Sequence, residues 1–502
     1  MQASVDRGER SGDGVPTVAV VGGGIAGLAA AWWLATSDID ARVVVLEADR
    51  RFGGKLQSAE IGGRRVDTGP DAFVARRPEA VDLCRQVGLG DELVAPGARS
   101  AYVWARGRLR PLPPGLALGV PTRLWPLAKS GIVSPVGVGR AAADLLGRPR
   151  AASVRSFVSD VAVDDVVRRR LGRQVADRLS DPLVGGIHAG PTRTLSAAAV
   201  FPALLDADRR GGSLMRALRS ASPAAEPLPT PTGAPGGDAP VFLTVRGGLS
   251  RLVDQLVGSL RQCGVEVRAG AAVDALERLD RRQPSRWSLQ TPGGAVHADA
   301  VVLATPAGSA GRLLSPFDHE LGQWLVGIEY AGVALVTLRL PASAVDGPLA
   351  GSGLLVPVRT RRLITACTWL SSKWPSLSRP DDVLLRASVG RYGDDRWTGL
   401  SDDALVARVM ADLGAVMGLR GHPLEAVVTR WPDSFPQYAV GHLDRVAAIE
   451  ARVTRLDGVA IAGAALHGVG IPACIASGRR AAAAAAASLA EAGHAEAGPE
   501  PW

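Results

Sequence analysis

A run of glycines near the start of the chain has the spacing of a phosphate-binding loop. The run is Gly22, Gly23, Gly24, Ile25, Ala26 and Gly27, which matches the pattern Gly-x-Gly-x-x-Gly. In this pattern the first glycine permits a tight turn, the second lets a pyrophosphate approach the backbone, and the third lets a helix pack closely on a strand. N–H groups at the start of the helix then bind the phosphates. Because glycines also occur in ordinary turns, the pattern alone is weak support for a dinucleotide site.

An acidic residue and a second glycine pair strengthen this interpretation. Glu47 stands at the end of the next apolar run, where a carboxylate accepts hydrogen bonds from ribose hydroxyls, and Ala48 follows it. Gly53, Gly54 and Lys55 then supply two glycines and a cation that can return to the diphosphate. An NAD enzyme has no need of this second loop, whereas flavoproteins use one. The residues therefore favour FAD.

Two further segments are predicted to reach the flavin ring. The first is a turn made of Gly69, Pro70, Asp71 and Ala72. The second contains Val469, Gly470 and Ile471 and precedes a helix, whose positive N-terminal end would stabilise negative charge on the reduced ring. Taken alone, the glycines of the second segment are also explained by strand-to-helix packing. Together with the first two loops, both segments predict a flavin site.

Apolar runs around these loops predict the elements that position them. Residues 18–21 and 42–46 read as buried strands and residues 25–35 as a helix, which gives one βαβ unit. Residues 459–488 read as a strand, a glycine-rich loop and an alanine-rich helix. The predicted fold class is α/β with α+β: a Rossmann-like FAD-binding domain of the glutathione reductase type, an inserted antiparallel-sheet substrate domain and a helical domain.

Changes in composition and hydrophobic pattern along the chain predict where these domains begin and end. The predicted parts are a discontinuous FAD-binding domain at 15–97, 241–312 and 445–492, a mostly helical domain at 98–220, a flexible loop at 221–240 and a substrate-binding sheet domain at 313–444. The loop is rich in Pro, Ala and Gly and cannot bury enough apolar surface to order itself. Alternating apolar and polar residues predict the antiparallel sheet.

Composition limits the function classes. The chain has 502 residues, 47% of them hydrophobic and 21% charged, as in a folded protein of several domains. Its net charge of +8 indicates either a solvated arginine-rich surface or attraction to an acidic substrate or anionic lipid. No basic stripe with interleaved aromatic residues occurs, so nucleic acid is not an expected partner. The four cysteines contain no CxxC pair, which argues against a metal site or disulfide framework.

These features predict a cytoplasmic protein. Widely spaced cysteines are typical of a reducing compartment, and residues 1–14 lack the apolar core of a signal peptide. Peripheral contact with the inner face of the cell membrane is the alternative. Residues 116–132 are moderately apolar and contain Arg123 and Lys129, which suits an interface as well as a core. Core packing is the preferred interpretation of this passage.

Longer stretches resemble a known family. GGGIAGLAAAWWL, LEADRRFGGK and VDTGPDAF resemble the flavin amine oxidase superfamily. Within it, residues 181–204, 241–256, 430–442 and 463–478 resemble the oxygen-dependent, FAD-dependent coproporphyrinogen III and protoporphyrinogen oxidases. The likeness extends from about residue 17 to residue 488.

The resemblance implies roles for individual residues. Gly22, Gly24, Gly27, Glu47, Ala48 and Lys55 would hold the adenosine diphosphate half of FAD. The backbone of Val273 would contact the adenine. Gly69 to Ala72, Trp431 and Val469 to Ile471 would line the isoalloxazine. Arg77 would bind substrate propionates, with the adjacent Arg76 as the alternative because loop alignments slip by one residue.

The resemblance also implies an activity. It is the six-electron oxidation of a porphyrinogen in haem biosynthesis, with O2 as acceptor, H2O2 as by-product and transient contact with a ferrochelatase. Coproporphyrinogen III is preferred over protoporphyrinogen IX because the chain is basic and because GPDAFVARR and GVGIPACI are close to the Gram-positive enzymes. A flavin amine oxidase, a carotenoid desaturase and a non-catalytic flavin or tetrapyrrole scaffold remain alternatives. Residues 460–475 contain no aromatic residue, which counts against an amine oxidase.

Three residues near the motifs have two interpretations each. His188 would be either a base beside the flavin or a buried structural histidine, and the same two interpretations apply to His467. Cys474 would be either a covalent flavin ligand or a small buried residue, and the second is preferred. No general base is evident from the sequence.

Overall fold

The computed structural model describes residues 14–98, 100–147, 160–221, 240–280 and 285–496. Its strands are β1 Thr17–Val21, β2 Arg42–Glu47, β3 Ser58–Ile61, β4 Arg64–Asp67, β5 Phe73–Val74, β6 Leu93–Val94, β7 Tyr102–Ala105, β8 Arg108–Pro111, β9 Leu116–Ala117, β10 Val120–Pro121, β11 Phe242–Val245, β12 Glu266–Ala269, β13 Ala275–Arg278, β14 Trp287–Thr291, β15 Gly294–Ala298, β16 Ala300–Leu303, β17 Tyr330–Pro341, β18 Gly353–Leu355, β19 Ile364–Trp369, β20 Asp382–Val389, β21 Glu425–Pro436 and β22 Val459–Ile461.

The helices are α1 Ile25–Thr36, α2 Pro78–Gln86, α3 Leu124–Ser130, α4 Pro135–Ala142, α5 Val163–Leu171, α6 Arg173–Val175, α7 Asp181–His188, α8 Ala197–Val200, α9 Pro202–Arg210, α10 Leu214–Ala221, α11 Ser250–Gln262, α12 Ala307–Leu314, α13 His319–Val326, α14 Leu370–Lys373, α15 Asp402–Met417, α16 His442–Val453 and α17 Ile471–Glu496. A π-helical turn, Ala176–Ser180, joins α6 to α7. Among the described helices, none combines the length and the apolar character needed to cross a membrane.

A five-stranded parallel sheet in the order β12-β2-β1-β16-β22 carries the predicted glycine loops. Read in chain order, its strands are arranged 3-2-1-4-5, as in a dinucleotide-binding fold. Successive side chains of a strand point to opposite faces of the sheet, and helices cover both faces. Val18 and Val20 pack in one core with α1 and α17, while Ala19 and Val21 pack in a second core with α12 and α13. This covering explains why the strands read as continuous apolar runs.

A seven-stranded sheet in the order β21-β17-β20-β19-β18-β7-β8 lies over the carboxyl ends of those strands, across a large cavity. Its pairs are antiparallel except for β18 with β7. One face packs against α15 in an apolar core. Leu335 and Ser388 line the cavity on the sheet's other side. The alternating stretches at 334–340 and 383–389 therefore form central strands, as an antiparallel sheet predicts.

Residues 98–220, predicted to be mostly helical, begin with strands that were not predicted. Residues 102–111 form the hairpin β7–β8 of the large sheet, and residues 116–121 form the short pair β9–β10. The turn between β7 and β8 is Arg106-Gly107, with positive φ at both residues, a short hairpin geometry that the prolines around it obscured. From Leu124 onward, α3 to α6 and α8 to α10 pack around one core, which also includes residues of β7 and β10. Of the predicted loop at 221–240, residues 222–239 lie outside the described residues.

Candidate active site

One cavity of about 850 Å³ runs between the two sheets. Val21 and Leu46, at the ends of β1 and β2, line it, as does Ala304 after β16. It opens where β1 and β16 lie side by side, which is where the strand order of the parallel sheet reverses. Open α/β sheets bind their ligands at this crevice, outside the carboxyl ends of the strands.

The two glycine loops are joined by backbone hydrogen bonds. The N–H of Gly53 donates to the carbonyl of Gly23 at 2.8 Å. Both oxygens of Glu47 also bind backbone: Oε2 accepts from Gly23 N–H at 2.6 Å and Oε1 from Asp49 N–H at 2.8 Å. The carboxylate thus fixes the first glycine loop to the end of β2, and its unused lone pairs can accept from a diol.

The geometry of the first loop requires its glycines. A Cβ placed at Gly27 would lie 1.9 Å from the carbonyl oxygen of Gly22, so only glycine lets α1 approach the loop. A Cβ at Gly24 would meet nothing within 4 Å, because this residue borders open cavity. Gly24 is the N-cap of α1 and brings no capping side chain. The first N–H groups of α1 are therefore free to bind phosphate.

Lys55 supplies a positive charge inside the same cavity. Its side chain lines the cavity beside Cys474 and, among the described residues, makes no ion pair or hydrogen bond. Burial lowers the pKa of Lys55, and the nearby thiol acts in the opposite direction. A cation held this way is stabilised by an anion, and the diphosphate of FAD provides one.

The predicted turn at 69–72 is held against the large sheet by ionic and hydrogen bonds. Arg386 donates through Nη1 to the carbonyls of Asp67 and Gly69, at 2.8 and 2.7 Å, and through Nη2 to Asp71 at 3.0 Å. Lys373 and Trp374 donate to the other oxygen of Asp71, at 2.8 and 2.9 Å. Burial alone would raise the pKa of Asp71, but the charges of Arg386 and Lys373 lower it below its usual range.

Most residues predicted to bind FAD line this one cavity. They are Gly22, Gly24, Ile25, Ala26, Glu47, Ala48, Gly54, Lys55, Gly69, Pro70, Ala72, Val273, Trp431, Val469, Gly470 and Ile471. Gly23, Gly27 and Asp71 do not line it; they hold the loops in place from behind. An opening lined by a phosphate loop at one end and by apolar strands at the other fits FAD. Among the described residues, no cluster of His, Cys, Asp and Glu is arranged to hold a metal ion.

Two predicted substrate contacts and the candidate base lie elsewhere. Arg76 and Arg77 are exposed and are not among the described residues that line the cavity, and Arg77 lies 3.5 Å from Glu79. His188 is also absent from the lining, because its ring is buried against Tyr438, with ring centroids 5.8 Å apart. Burial lowers the pKa of His188 to about 4. Its burial away from the cavity lining favours the interpretation of His188 as a structural histidine over that of a base beside the flavin.

An ion pair in the cavity was not predicted from the sequence. Arg391, just after β20, contacts both carboxylate oxygens of Asp181, at 3.3 and 3.4 Å. Asp181 begins α7 and also accepts from the N–H and hydroxyl of Thr192, at 3.1 Å each. Both charged residues line the cavity, together with the apolar side chains of Val333 and Val356. No local pattern marks Arg391, because its partner lies far away in the sequence.

Comparisons with known proteins give the family. The family described as flavin containing amine oxidoreductase matches residues 25–486. A coproporphyrinogen III oxidase from Bacillus subtilis is 32% identical, covering 93% of this chain and 97% of the relative. One from Propionibacterium freudenreichii is 36% identical, with 92% and 89% covered. Protoporphyrinogen oxidase 1 of Arabidopsis thaliana is 30% identical, with 91% and 85% covered.

Solved structures agree with this match. A provisionally named protoporphyrinogen oxidase from Exiguobacterium has a TM-score of 0.81 at 31% identity, covering 95% of this chain and 100% of that one. A reduced UDP-galactopyranose mutase has a TM-score of 0.66 at 15% identity, with 93% of each chain covered, and is similar in fold. The chain therefore belongs to the family of flavin containing amine oxidoreductases, which confirms the predicted FAD cofactor.

Proposed function

We propose that this protein oxidises coproporphyrinogen III to coproporphyrin III. The observation that carries the proposal is the match, over nearly the whole length of both chains, to coproporphyrinogen III oxidases from several bacteria. The cavity supports it, because apolar strands enclose one end of the space and the partly buried Arg391 lies there. A porphyrinogen has an apolar ring system with anionic side chains, which is complementary to such a lining.

The reaction balances with dioxygen as the proposed acceptor. Six electrons and six protons leave each porphyrinogen, and three O2 become three H2O2. FAD, when bound, supplies the redox chemistry by accepting electrons from the substrate and passing them on. The protein's part is to hold the cofactor through the two glycine loops, to hold the substrate against it and to exclude water.

The cavity lining suggests that no dedicated base is needed. Of the described residues that line it, none is a histidine. The carboxylate beside the apolar strands is Asp181, which already accepts hydrogen bonds from Arg391 and Thr192. We propose that Asp181 orients Arg391, and that the protons lost from pyrrole nitrogens pass to solvent through the open end of the cavity.

Arg391 is our candidate for a propionate anchor inside the cavity. Its side chain is only 10% exposed, it borders apolar walls, and Asp181 fixes its guanidinium. A guanidinium has five N–H donors in a planar fork that matches a carboxylate. The predicted role of Arg77 and Arg76 would require a carboxylate outside this cavity, so we assign the interior contact to Arg391.

Anaerobic mixing of coproporphyrinogen III with the FAD-loaded protein tests the function and the anchor together. We expect loss of the oxidised flavin absorbance without O2, because each FAD takes up two of the six electrons, and formation of coproporphyrin once air is admitted. In Arg391→Gln the substrate concentration for half-maximal rate should rise about tenfold or more, as expected for a lost charge-assisted hydrogen bond. Arg391→Lys should recover part of this loss, and the exposed Arg85→Gln should match the wild type. A flavin that stays oxidised with coproporphyrinogen III would contradict the proposed function.

Protoporphyrinogen IX is the second candidate substrate. It is favoured by the 30% identity to the Arabidopsis protoporphyrinogen oxidase 1 over 91% of this chain. The two candidates differ in carboxylate number, since coproporphyrinogen III has four propionates and protoporphyrinogen IX has two. Parallel assays with both substrates therefore separate them.

The remaining sequence predictions are kept as proposals. We propose that segments 15–97, 241–312 and 445–492 form the FAD-binding domain, and that the product passes to a ferrochelatase by transient contact.

Peripheral membrane contact is supported by Trp125, which is 68% exposed, with the ammonium of Lys129 5.0 Å from its ring centroid. We expect the wild type to sediment with liposomes and Trp125→Ser to lose this co-sedimentation. Sedimentation that is equal for the wild type and the variant and does not depend on lipid would contradict the membrane contact.

A further inference from the structure

A second, smaller cavity lies beside the first, and its lining includes the exposed residues Arg106 and Arg359. Its volume is about 240 Å³. Val356 lines the large cavity, whereas the next residue, Pro357, lines the small one. Its other walls are Trp104 and Ala105 at the end of β7, the turn Arg106-Gly107, Arg178 in the π-helical turn, and Arg359-Thr360. We name it the arginine pocket.

Positive charge exceeds negative charge in the arginine pocket. Three of the described residues that line it are arginines: Arg106, Arg178 and Arg359. The nearest carboxylate contact is Asp177, which lies 3.6 Å from Arg359. That carboxylate already binds two other arginines more closely, at 2.9 and 3.2 Å. Burial lowers the pKa of Arg178, and the charges of Arg359 and Arg106 lower it further.

Backbone geometry holds two of these arginines in unusual positions. Arg106 has a φ of 54° in the β7–β8 turn, where Asn or Gly would be favoured. Arg178 lies in a π-helical turn, a feature frequent at functional sites. Its Nη1 donates to the Ile132 carbonyl at 2.8 Å and to Gln174 Oε1 at 3.0 Å, and its other nitrogens have no hydrogen-bond partner among the described residues. A left-handed φ is unfavourable for arginine, so the side chain at position 106 is a candidate for a functional role.

We propose that the arginine pocket is an oxyanion-binding site that takes a propionate carboxylate of the tetrapyrrole. This inference rests on the proposed function, since it names a second contact for the same substrate and product. The pocket admits a carboxylate arm and is too small for the ring system. Arg391 serves one carboxylate inside the large cavity, so a tetracarboxylate has others to place. Free phosphate has the same chemistry and is the alternative source of the oxyanion.

Equilibrium binding of coproporphyrin III to the FAD-loaded protein, followed by porphyrin fluorescence in phosphate-free buffer, tests the proposal. The variant is Arg106→Gln combined with Arg359→Gln, and the matched control is Arg108→Gln, an exposed arginine of the same hairpin that lies outside the pocket. We expect about tenfold weaker binding in the double variant, as for one lost charge-assisted hydrogen bond, and no change in the control. FAD content and thermal midpoint, measured for each protein, show that both variants are folded.

A second titration with inorganic phosphate, followed by calorimetry, distinguishes the sources. Phosphate that binds the wild type but not the double variant, and that competes with coproporphyrin III, supports a carboxylate site. Phosphate binding with unchanged porphyrin affinity overturns the propionate assignment. No effect of the double variant on either ligand overturns the site itself. Wild-type turnover of coproporphyrinogen III is measured separately, so failure of the proposed function is distinguishable from failure of this inference.

Discussion

Substitution Asp71→Asn is expected to destabilise the flavin end of the cavity. The carboxylate is the shared anion of Arg386 and Lys373, whose side chains are 7% and 15% exposed. Removing its charge takes the ion-pair partner from two nearly buried cations, and breaking a buried pair costs about 3–5 kcal/mol. Asparagine still accepts a hydrogen bond, so we expect about 3 kcal/mol, near the low end of that range.

The assay is urea denaturation of the FAD-loaded and FAD-free proteins, followed by tryptophan fluorescence. Because Arg386 also binds the carbonyls of Asp67 and Gly69, the variant should retain less FAD than the wild type. Asp381→Asn, at an exposed position directly before β20, is the control and should change neither property. Midpoints for Asp71→Asn and the control that agree within error would refute the role given to this ion-pair cluster.

The low pKa of Asp71 adds a pH dependence to the same experiment. The carboxyl has a lower pKa in the folded protein than its ordinary value of 3.8. Its contribution to stability is therefore present above about pH 4 and is lost as the pH falls through the folded value. The wild type should lose more stability than Asp71→Asn on acidification below pH 4. Equal losses would contradict the ion pairing.

Three further outcomes are expected. In Gly27→Ala the added Cβ would lie 1.9 Å from a backbone oxygen, so α1 must move away from the loop and the purified protein should contain little FAD; a full flavin-to-protein absorbance ratio would refute this. His188 has its pKa lowered from 6.5 to about 4, so stability present above pH 6.5 is lost as the pH falls toward 4, by up to roughly 3 kcal/mol. Unfolding midpoints of His188→Leu should lack this pH dependence, and an unchanged profile would show that another group is responsible. Burial raises the pKa of Cys474 to about 11, whereas Cys263 is exposed, so iodoacetamide at pH 8 should alkylate Cys263 first, and comparable labelling of Cys474 by mass spectrometry would be inconsistent with its buried position.

The parallel sheet could be predicted because the sequence patterns that mark its strands and turns are local. Each strand is covered on both faces and is therefore a continuous apolar run, and the glycines after β1 and before α17 mark where the chain turns to the cofactor. The hairpin β7–β8 was missed because β7 is stabilised by β18, with Val103 paired to Leu355. Such long-range pairing decides secondary structure that local patterns leave open.

The candidate site, like the fold, could be predicted from the sequence only in part. Loops that bind through backbone, such as the glycine run and Gly53-Gly54, are visible as contiguous motifs. Side chains that project from strands are not, because Arg391 meets Asp181, and Arg386 meets Asp71, only once the large sheet has folded over the cavity. The propionate contact at Arg77 was implied by the family resemblance, and Arg77 is not among the described residues that line the cavity.

The most direct test of the central claim is the rate of porphyrin formation from anaerobically prepared coproporphyrinogen III and protoporphyrinogen IX. Each is offered separately to the FAD-loaded protein, and porphyrin fluorescence is followed on mixing with air. A much higher enzyme-dependent rate with coproporphyrinogen III is the expected result. Preference for protoporphyrinogen IX would overturn the substrate assignment, and rates no higher than autoxidation with both, from protein that carries FAD, would contradict porphyrinogen oxidation itself.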